Sequence, residues 1–494
     1  MIIKHLAIIQ VILPLMAAPV CIVIRHHVGV KIWAVLISWL SFLISIALLV
    51  QVSDQGLIVY QLGGWAAPWG IEYRIDILSA FVLLIVSGIG AVVMPYSWTS
   101  VEKEIVHERA YLFYCMILLC MTGLLGIVIT GDAFNLFVFM EISSLASYVL
   151  ISFGQDRQAL VAAYRYLIIG TIGATFYMIG VGFLYASTGT LNIFDLSQLV
   201  PAISASRTVK AALAFFTVGL GIKLALFPMH MWLPNAYTFA PSAVSVFLAA
   251  TATKVAVYAL FRIVFTIFGG TEILEILPIR GLLIGMAAMA MIYGSIQAIY
   301  QINVKRILAY SSIAQIGYMV LGLSFDNATG IAAGIIHLFN HALMKGSLFM
   351  VLGAVMYRVD SVQLNDMAGL GKYMPLTMAA FFIAGLSLIG MPLTVGFVSK
   401  WYLIQAALEK GWWPIAMLIV ISSLLAVVYI WRVIEVVYFM PANPEAREVR
   451  EAPISLLLPT WILLGAVIYF GIDATTGLNI AIAAADALLA GGGS

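Results

Sequence analysis

Four lysines of this 494-residue chain lie inside long apolar stretches without a local acidic partner: Lys223, Lys254, Lys345 and Lys400. An ionisable side chain costs about 2.5–3.5 kcal/mol at the centre of a membrane helix, so its presence there indicates a function. A lysine buried without a counterion releases its proton more readily than one in water, which is what a proton relay requires. The four lysines therefore predict a chain of titratable sites within a membrane.

One acid is also clearly embedded in an apolar stretch, Glu141 in GDAFNLFVFMEISSLASYVL. A lone carboxylate in hydrocarbon is protonated or paired, and a lysine on a neighbouring helix is the natural partner. The alternative is a fixed ion pair that merely joins two helices. Because one acid cannot neutralise four buried lysines, we favour proton transfer.

The string GIIHLFNHALMKGSLF adds His337 and His341 to Lys345 at spacings of four, which place all three on one helical face. Two histidines at this spacing can ligate zinc, but residue 338 is leucine where a metalloprotease carries a glutamate. We therefore predict a proton-conducting face and no metal site. A hydrogen-bonded helix contact is the remaining alternative.

Other chemistry is not signalled. The sequence holds no G-x-x-x-x-G-K-[S/T] loop and no G-x-G-x-x-G fingerprint, and its three cysteines lack the spacing of a disulfide framework or an iron–sulfur site. The 24 basic and 22 acidic residues nearly balance, unlike in a nucleic-acid-binding protein. We expect no cofactor and no nucleic acid, so the energy must come from an ion gradient or a partner subunit.

The elements that position these residues must be membrane-spanning helices, because 63% of the chain is hydrophobic and only 9% is charged. Backbone groups cannot stay unpaired in lipid, so each apolar stretch of about 20 residues is expected to be helical. The fold class is therefore an all-α polytopic membrane protein with about 14 transmembrane helices. The fourteen stretches are 6–24, 32–51, 76–96, 111–130, 133–153, 160–188, 208–234, 241–268, 279–300, 304–323, 329–355, 374–408, 413–438 and 453–475.

The sidedness follows from lysine and arginine counts. The loops after odd-numbered stretches carry about twice as many lysines and arginines as the N-terminus and the remaining loops together. We count Lys31, Arg165 and Lys305 among the basic residues of these loops. The positive-inside rule then places these loops in the cytoplasm and both chain ends outside. We expect a multi-pass protein of the cell membrane.

Two stretches depart from a plain helix. The seventh contains Pro228 and Pro234, and the twelfth contains Gly390 and Pro392 near its middle. Proline removes a backbone donor and clashes with the preceding turn, so both helices should be broken. Paired interruptions indicate an inverted-repeat transporter, although two independent kinks are the alternative. The expected parts are a three-helix segment 1–110, two inverted five-helix repeats 111–268 and 279–438, and a C-terminal helix and tail 439–494.

Three strings carry a family resemblance: FPMHMWLPNAYTFAPSAVSVFLAATATKVAVYAL, KRILAYSSIAQIGYMVLG and HLFNHALMKGSLFM. They resemble the antiporter-like membrane subunits shared by Mrp-type cation/proton antiporters, respiratory complex I and membrane-bound hydrogenases. Within this family the string around Glu141 looks most like the D-type subunit of Mrp antiporters. The resemblance implies fourteen helices, two inverted five-helix repeats, and broken seventh and twelfth helices.

The resemblance also implies roles for single residues. In that family a glutamate of the fifth helix pairs with a lysine of the seventh, a lysine of the eighth passes protons onward, and ionisable residues follow on the eleventh and twelfth helices. The matching positions here are Glu141, Lys223, Lys254, His337, His341, Lys345 and Lys400. Arg165 stands where many relatives carry lysine, and since arginine keeps its proton we expect it to be a fixed charge.

The sequence therefore predicts the proton-translocating subunit of a multisubunit Na⁺/H⁺ antiporter, which is a secondary transporter and not an enzyme. Its partners would be other membrane subunits, the lipid bilayer, protons and Na⁺. One alternative is the proton-pumping membrane subunit of a redox-driven complex of the NADH-quinone oxidoreductase or membrane-bound hydrogenase type, whose redox centre lies in its partners. A passive scaffold with fixed ion pairs is the other alternative.

Overall fold

The computed structural model describes residues 5–270, 279–442 and 449–490, and most of these residues are helical. The α-helices and strands in chain order are α1 (Leu6–Ile24), α2 (His27–Gln55), β1 (Ile58–Gln61), β2 (Glu72–Ile75), α3 (Ile77–Glu104), α4 (Ala110–Ile129), α5 (Ala133–Ser152), α6 (Arg157–Thr188), α7 (Ile193–Leu199), α8 (Arg207–Lys223), α9 (Leu233–Phe239), α10 (Ser242–Ala250), α11 (Ala252–Phe261), α12 (Ile279–Ile299), α13 (Val304–Ser324), α14 (Ala328–Val359), α15 (Pro375–Ile389), α16 (Val395–Glu409), α17 (Trp413–Phe439), α18 (Ile454–Ile472) and α19 (Thr475–Leu489).

Across these described residues, twelve helices are long and apolar enough to cross a membrane. The number rises to thirteen if the bent pair Asn365–Lys372 and Pro375–Ile389 counts as one span. The prediction of an all-helical polytopic membrane protein is confirmed, whereas the number fourteen is approximate. The difference arises because stretches 208–234 and 374–408 are each divided into shorter helices.

Both of these stretches break where proline interrupts the helix. In the seventh stretch, α8 ends at Lys223 and the chain stays non-helical past Pro228 until α9 begins. In the twelfth, α15 ends at Ile389 and is capped by Gly390, whose φ of 98° favours glycine. Helix α16 begins three residues after Pro392. Proline has no backbone N–H with which to bond the preceding turn, so each helix ends a few residues before its proline.

The eighth stretch is also divided, which the sequence did not indicate. Thr251 has φ −125° and ψ −57° and separates α10 from α11. After α11 the chain continues as a π-helix, Arg262–Ile267. This extra break places Lys254 in the first turn of α11.

Three smaller elements were not expected. Strands β1 and β2 form an antiparallel hairpin with Ile58 opposite Ile75, and the seven-residue helix α7 follows α6. The fifteen-residue helix α19 comes after the last predicted stretch and packs against α14 and α3. Short or exposed segments such as these lack the long apolar pattern by which spans are recognised.

Some basic residues do not lie where the charge count placed them. Lys31 and Lys305 were assigned to loops, but both are buried, in α2 and in the first turn of α13. Lys31 forms an ion pair with Glu102, which compensates its burial. Arg165 was counted with the same loops and is exposed on α6. Charge type alone does not distinguish a solvated lysine from one drawn inward by a partner.

Small residues bring the central helices close together. A side chain at Gly294 of α12 would lie 2.9 Å from the carbonyl oxygen of Tyr310 in α13. One at Gly317 of α13 would lie 2.7 Å from the carbonyl oxygen of Ala287 in α12. Such close approach is typical of membrane helix interfaces. It holds α13, whose residues are almost all buried, at the centre of the protein.

Candidate functional site

Glu141 and Lys223 form an ion pair between α5 and α8. The Nζ atom of Lys223 lies 3.2 Å from Oε1 of Glu141 and donates a second hydrogen bond, 2.7 Å long, to Oγ of Ser144. Glu141 and Ser144 are three residues apart, so they share a face of α5. Lys223 is the last residue of α8, directly before the break. The pairing that the family resemblance implied is therefore present.

A small cavity adjoins this pair. It measures about 30 Å³, and its lining combines Lys223 and three serines of α5, Ser143, Ser144 and Ser147, with apolar side chains of α4, α8 and α11. A space of this size holds one or two water molecules when polar groups face it. Lys223 therefore faces a small space to which three hydroxyl groups also contribute.

Lys254 is fully buried and has only neutral partners within the described chain. Its ammonium donates to the carbonyl oxygen of Ala249, across the Thr251 break, and to Oγ1 of Thr253 at 3.4 Å. A cation held only by neutral oxygens is costly to bury. Lys254 is therefore suited to release a proton.

The two histidines of α14 differ in their hydrogen bonding. Nδ1 of His337 lies 2.7 Å from Oγ of Ser399, and its Nε2 lies 3.0 Å from Oε1 of Gln315. His341 is completely buried, and neither of its ring nitrogens has a partner within the described chain. One histidine is thus fixed by α13 and α16, whereas the other has unused donor and acceptor capacity.

Lys345 is also completely buried. Its ammonium donates to the carbonyl oxygen of Leu308 at 2.7 Å and to Oγ of Ser311, both in α13. Lys254 and Lys345 interact electrostatically with each other and with His341. These three groups form one electrostatically coupled cluster between α11 and α14.

Lys400 lies at the second break. Its ammonium donates to the carbonyl oxygens of Leu388 and Ile389, at 2.9 and 2.8 Å, and to Oγ of Ser423 at 2.9 Å. It also lies 5.1 Å from the centre of the Tyr318 ring. The two carbonyls end α15, where the helix dipole is negative. All three ammonium protons therefore have acceptors.

The structure brings most of the predicted residues together. The charges of Lys254 and Lys400 both act on His337, so the groups from Lys254 to Lys400 lie within electrostatic range of one another. Lys223 forms an ion pair with Glu141, and among the described residues no hydrogen bond or ion pair joins it to Lys254. The row thus consists of the ion pair Glu141–Lys223 and a separate group of residues that runs from Lys254 to Lys400.

The sequence did not indicate four of the neutral partners, namely Ser144, Thr253, Ser399 and Ser423. Ser311 and Gln315 lie in KRILAYSSIAQIGYM, whose serines and glutamine could be expected to bond a neighbouring helix. Ser399 precedes Lys400, and Ser144 follows Glu141 by one turn. Hydroxyl groups in membrane helices commonly bond their own backbone, so sequence alone does not show which of them reach another helix.

Arg262 is not part of this row. Arg262 forms an ion pair with Asp76, the residue that caps α3. It also donates to Tyr258 and Ser79. Burial raises the pKa of Asp76, but the Arg262 charge and hydrogen bonds from Arg262 and Ser79 together bring it below its usual range. This network has a structural role.

Arg432 and His230 also lie outside the row. Arg432 donates to the carbonyl oxygens of Ile299 and Gln301 at the end of α12. His230 lies in the first break against the rings of Phe227 and Tyr293. Across residues 5–270, 279–442 and 449–490, no three His, Cys, Asp or Glu side chains converge as metal ligands.

Comparison with known proteins gives consistent similarities. The family described as NADH:quinone oxidoreductase/Mrp antiporter, TM, matches residues 130–426. NADH-quinone oxidoreductase subunit N of Desulforudis audaxviator is 44% identical, over 95% of this chain and 96% of that protein. The D-type subunit of the Na⁺/H⁺ antiporter from Bacillus subtilis is 31% identical, over 95% and 94%. A chain of the Mrp complex from Dietzia sp. DQ12-45-1b superimposes with a TM-score of 0.91 at 26% identity, covering 99% of this chain and 98% of that one.

Proposed function

Because this chain belongs to the NADH:quinone oxidoreductase/Mrp antiporter transmembrane family, we propose that it translocates protons as a subunit of a multisubunit Na⁺/H⁺ antiporter. The observation that carries the proposal is the row of buried lysines and histidines in which a single acid, Glu141, neutralises one lysine. Burial without a counterion disfavours the charged form of a lysine, so the remaining lysines can release their protons.

In the proposed cycle, the ion pair controls proton release. While Glu141 contacts Lys223, the carboxylate keeps the lysine charged. When the pair opens, Lys223 loses this stabilisation and releases its proton, and the serine-lined cavity provides the polar space for the transfer. The proton passes by way of Lys254 to the His341 and Lys345 region and then to Lys400. Since one pKa unit corresponds to about 1.36 kcal/mol, one ion pair in a poorly solvated site is sufficient to change the protonation of a lysine.

The two helix breaks support this cycle. Unwound backbone at membrane depth is tolerated only inside protein or beside water, and the breaks leave polar groups next to Lys223 and Lys400. We propose that residues 111–268 and 279–438 act as two five-helix halves, one around each break. We place the protein in the cell membrane with both chain ends outside, with other membrane subunits as its partners.

Substitution of Lys223 tests the proposal. In inverted membrane vesicles that contain the whole complex, Lys223→Ala should abolish Na⁺-dependent proton exchange. Lys223→Arg should abolish it too, because arginine keeps the ion pair but does not release its proton. Lys210→Ala, on the same helix α8, is the matched control and should exchange normally. Co-purification of the partner subunits shows assembly; full exchange by an assembled Lys223→Ala complex would refute the proposal.

A second candidate function is favoured by the 44% identity to a subunit N of NADH-quinone oxidoreductase. In this case the chain would be the proton-pumping membrane subunit of a redox-driven complex. The identity of co-purified subunits distinguishes the two functions. Iron–sulfur proteins would favour the redox-driven complex, and small membrane subunits alone would favour the antiporter.

A further inference from the structure

A polar cavity of about 480 Å³ opens at the face where the loops after odd-numbered spans lie. Its lining combines the end of α3, the start of α10 and α13, and the end of α14. An ion pair between Lys103 and Asp360, 2.8 Å long, joins α3 to α14 beside this cavity. A polar space of this size holds several water molecules, so water can reach the residues at its base.

Lys305 and Glu104 both line this cavity and are linked by one hydroxyl group. The ammonium of Lys305 donates to Oγ of Ser242 at 3.1 Å and to the carbonyl oxygen of Ala240 at 3.4 Å. Oε2 of Glu104 accepts from both the backbone N–H and the hydroxyl of Ser242, at 2.8 and 3.1 Å. Lys305 is only 2% exposed, so this lysine is buried in the same way as those of the central row.

Helix α13 connects this cluster with the row. Lys305 belongs to its first turn, and the two groups that hold the ammonium of Lys345, the Leu308 carbonyl and Ser311, follow on the same helix. At 1.5 Å per residue, they lie about 4.5 and 9 Å along the axis from Lys305. Gln315, the partner of His337, comes one turn later. Polar groups thus continue along α13 from the cavity to both residues of α14.

We propose that Lys305, with Glu104 and Ser242, is a further proton-transfer site that connects the aqueous cavity to Lys345. This inference rests on the proposed proton translocation and adds the route by which one face of the membrane exchanges protons with the row. The cycle proposed above involves neither Lys305 nor Glu104.

One proton moves in each step, and no other bond is formed or broken. A proton from cavity water binds the uncharged amine of Lys305, and the resulting ammonium is stabilised by Ser242, whose own hydroxyl proton points to the Glu104 carboxylate. Lys305 then transfers one proton, by way of water beside Ser311, to the uncharged amine of Lys345, which becomes an ammonium while Lys305 returns to the amine form. The Glu104 side chain accepts both hydrogen bonds of Ser242 and so orients the hydroxyl oxygen that accepts from Lys305.

Three substitutions of Lys305 separate a titrating role from a structural one. In vesicles with the assembled complex, Lys305→Gln and Lys305→Arg should each lower proton flux by about 100-fold, the scale of a lost positioned proton donor. Lys305→His should restore part of the flux, with its maximum at a lower pH than wild type, because histidine titrates near pH 6.5. Glu104, Lys103, Asp156 and Asp360 face the cavity and are unchanged in all three variants.

A fixed structural cation would give the reverse order, with Lys305→Arg active and Lys305→His inactive, and that result would overturn the inference. Normal flux in Lys305→Gln, or inactivity of Lys305→His at every pH, would also overturn it. Lys410→Gln, an exposed lysine that follows α16, is the control and should leave flux unchanged. Loss of flux in Lys223→Ala alongside normal flux in Lys305→Arg would refute this inference alone and leave the proposed function standing.

The position of the cavity can be tested independently. Gln363 is exposed and lines the cavity. A membrane-impermeant maleimide should label Gln363→Cys only from the face that carries the loops after odd-numbered spans, and labelling should slow proton flux several-fold by filling the cavity. The three native cysteines are buried and should remain unlabelled. Complete labelling without any effect on flux would show that protons do not pass through this cavity.

Discussion

His337 and His341 lie one turn apart on α14 with their rings nearly parallel, 6.1 Å between centroids and 3° between planes, yet within the described chain only His337 is hydrogen-bonded. His337 is held by Ser399 and Gln315, so its ring is fixed in orientation. His341 has no such constraint and interacts electrostatically with Lys254 and Lys345. The pair thus combines a ring anchored by two hydrogen bonds with one whose nitrogens have no hydrogen-bond partner among the described residues.

The different hydrogen bonding of His337 and His341 predicts different effects of substitution at the two positions. His337→Phe should destabilise the protein, because Ser399 and Gln315 each lose a buried partner at about 1–3 kcal/mol. His341→Phe should cost less than about 1.5 kcal/mol, as a swap of similar volume that removes no hydrogen bond. Proton flux should nevertheless fall in His341→Phe. Thermal unfolding and vesicle flux measured on the same preparations test this; equal destabilisation by both substitutions would contradict the structure.

We predict that the buried charge of Lys254 lowers the stability of the folded protein but is needed for proton transfer. Replacing buried ionic groups with well-packed apolar side chains is often neutral or stabilising, by up to about 4 kcal/mol, and Lys254 lacks even the charged partner that offsets part of the cost of burial. Lys254→Met should therefore unfold at a higher temperature than wild type while proton flux is lost. Lys372→Met changes an exposed lysine and is the control, which should change neither property. A Lys254→Met protein that is less stable and still conducts protons would remove Lys254 from the relay.

The buried pair of Asp76 and Arg262 predicts a pH dependence of stability. Because the folded-state pKa of Asp76 is lowered, its contribution is complete above the value of an unfolded aspartate, about 3.9, and is lost as pH falls through the folded value. Asp76→Asn keeps the helix cap but leaves Arg262 unpaired. The cost should lie near the lower end of about 3–5 kcal/mol, since 21% of the Asp76 side chain is exposed.

Thermal unfolding of the purified protein between pH 7 and pH 3 measures this effect. The difference between wild type and Asp76→Asn should be constant from neutral pH to about pH 5 and should shrink below about pH 4. Asp54→Asn changes an exposed aspartate and should behave like wild type. A difference that persists undiminished at the lowest pH would show that the carboxylate charge is not what stabilises this site.

The second break predicts a strict requirement for glycine at position 396. A side chain there would overlap the carbonyl oxygen of Ser387 in α15 and approach Sδ of Met344 to 3.1 Å. Because backbone cannot move aside easily, Gly396→Ala should cost about 1–3 kcal/mol and displace the carbonyls that hold Lys400. Gly465→Ala in α18 meets no atom within 4 Å and should be neutral or slightly stabilising. Similar unfolding temperatures for the two variants would contradict the packing at this break.

The sequence by itself established the membrane character, the helices, the breaks at Pro228 and Pro392, and the family resemblance, which the comparison confirmed. These follow from apolar stretches, proline chemistry and long specific strings, all of which are local in the chain. It also singled out the buried ionisable residues, because a charge in an apolar stretch is conspicuous without any knowledge of the fold. Their roles in proton transfer remain predictions.

Only the tertiary structure decided what each of these charges contacts. Three observations depend on how distant helices cross. Lys223 contacts Glu141 and Ser144, the end of α15 binds Lys400, and Lys305 is buried and not in a loop. The break at Thr251 likewise has no proline to indicate it. Partners of a buried cation are backbone carbonyls and hydroxyls that occur throughout every helix, so only packing determines which of them it reaches.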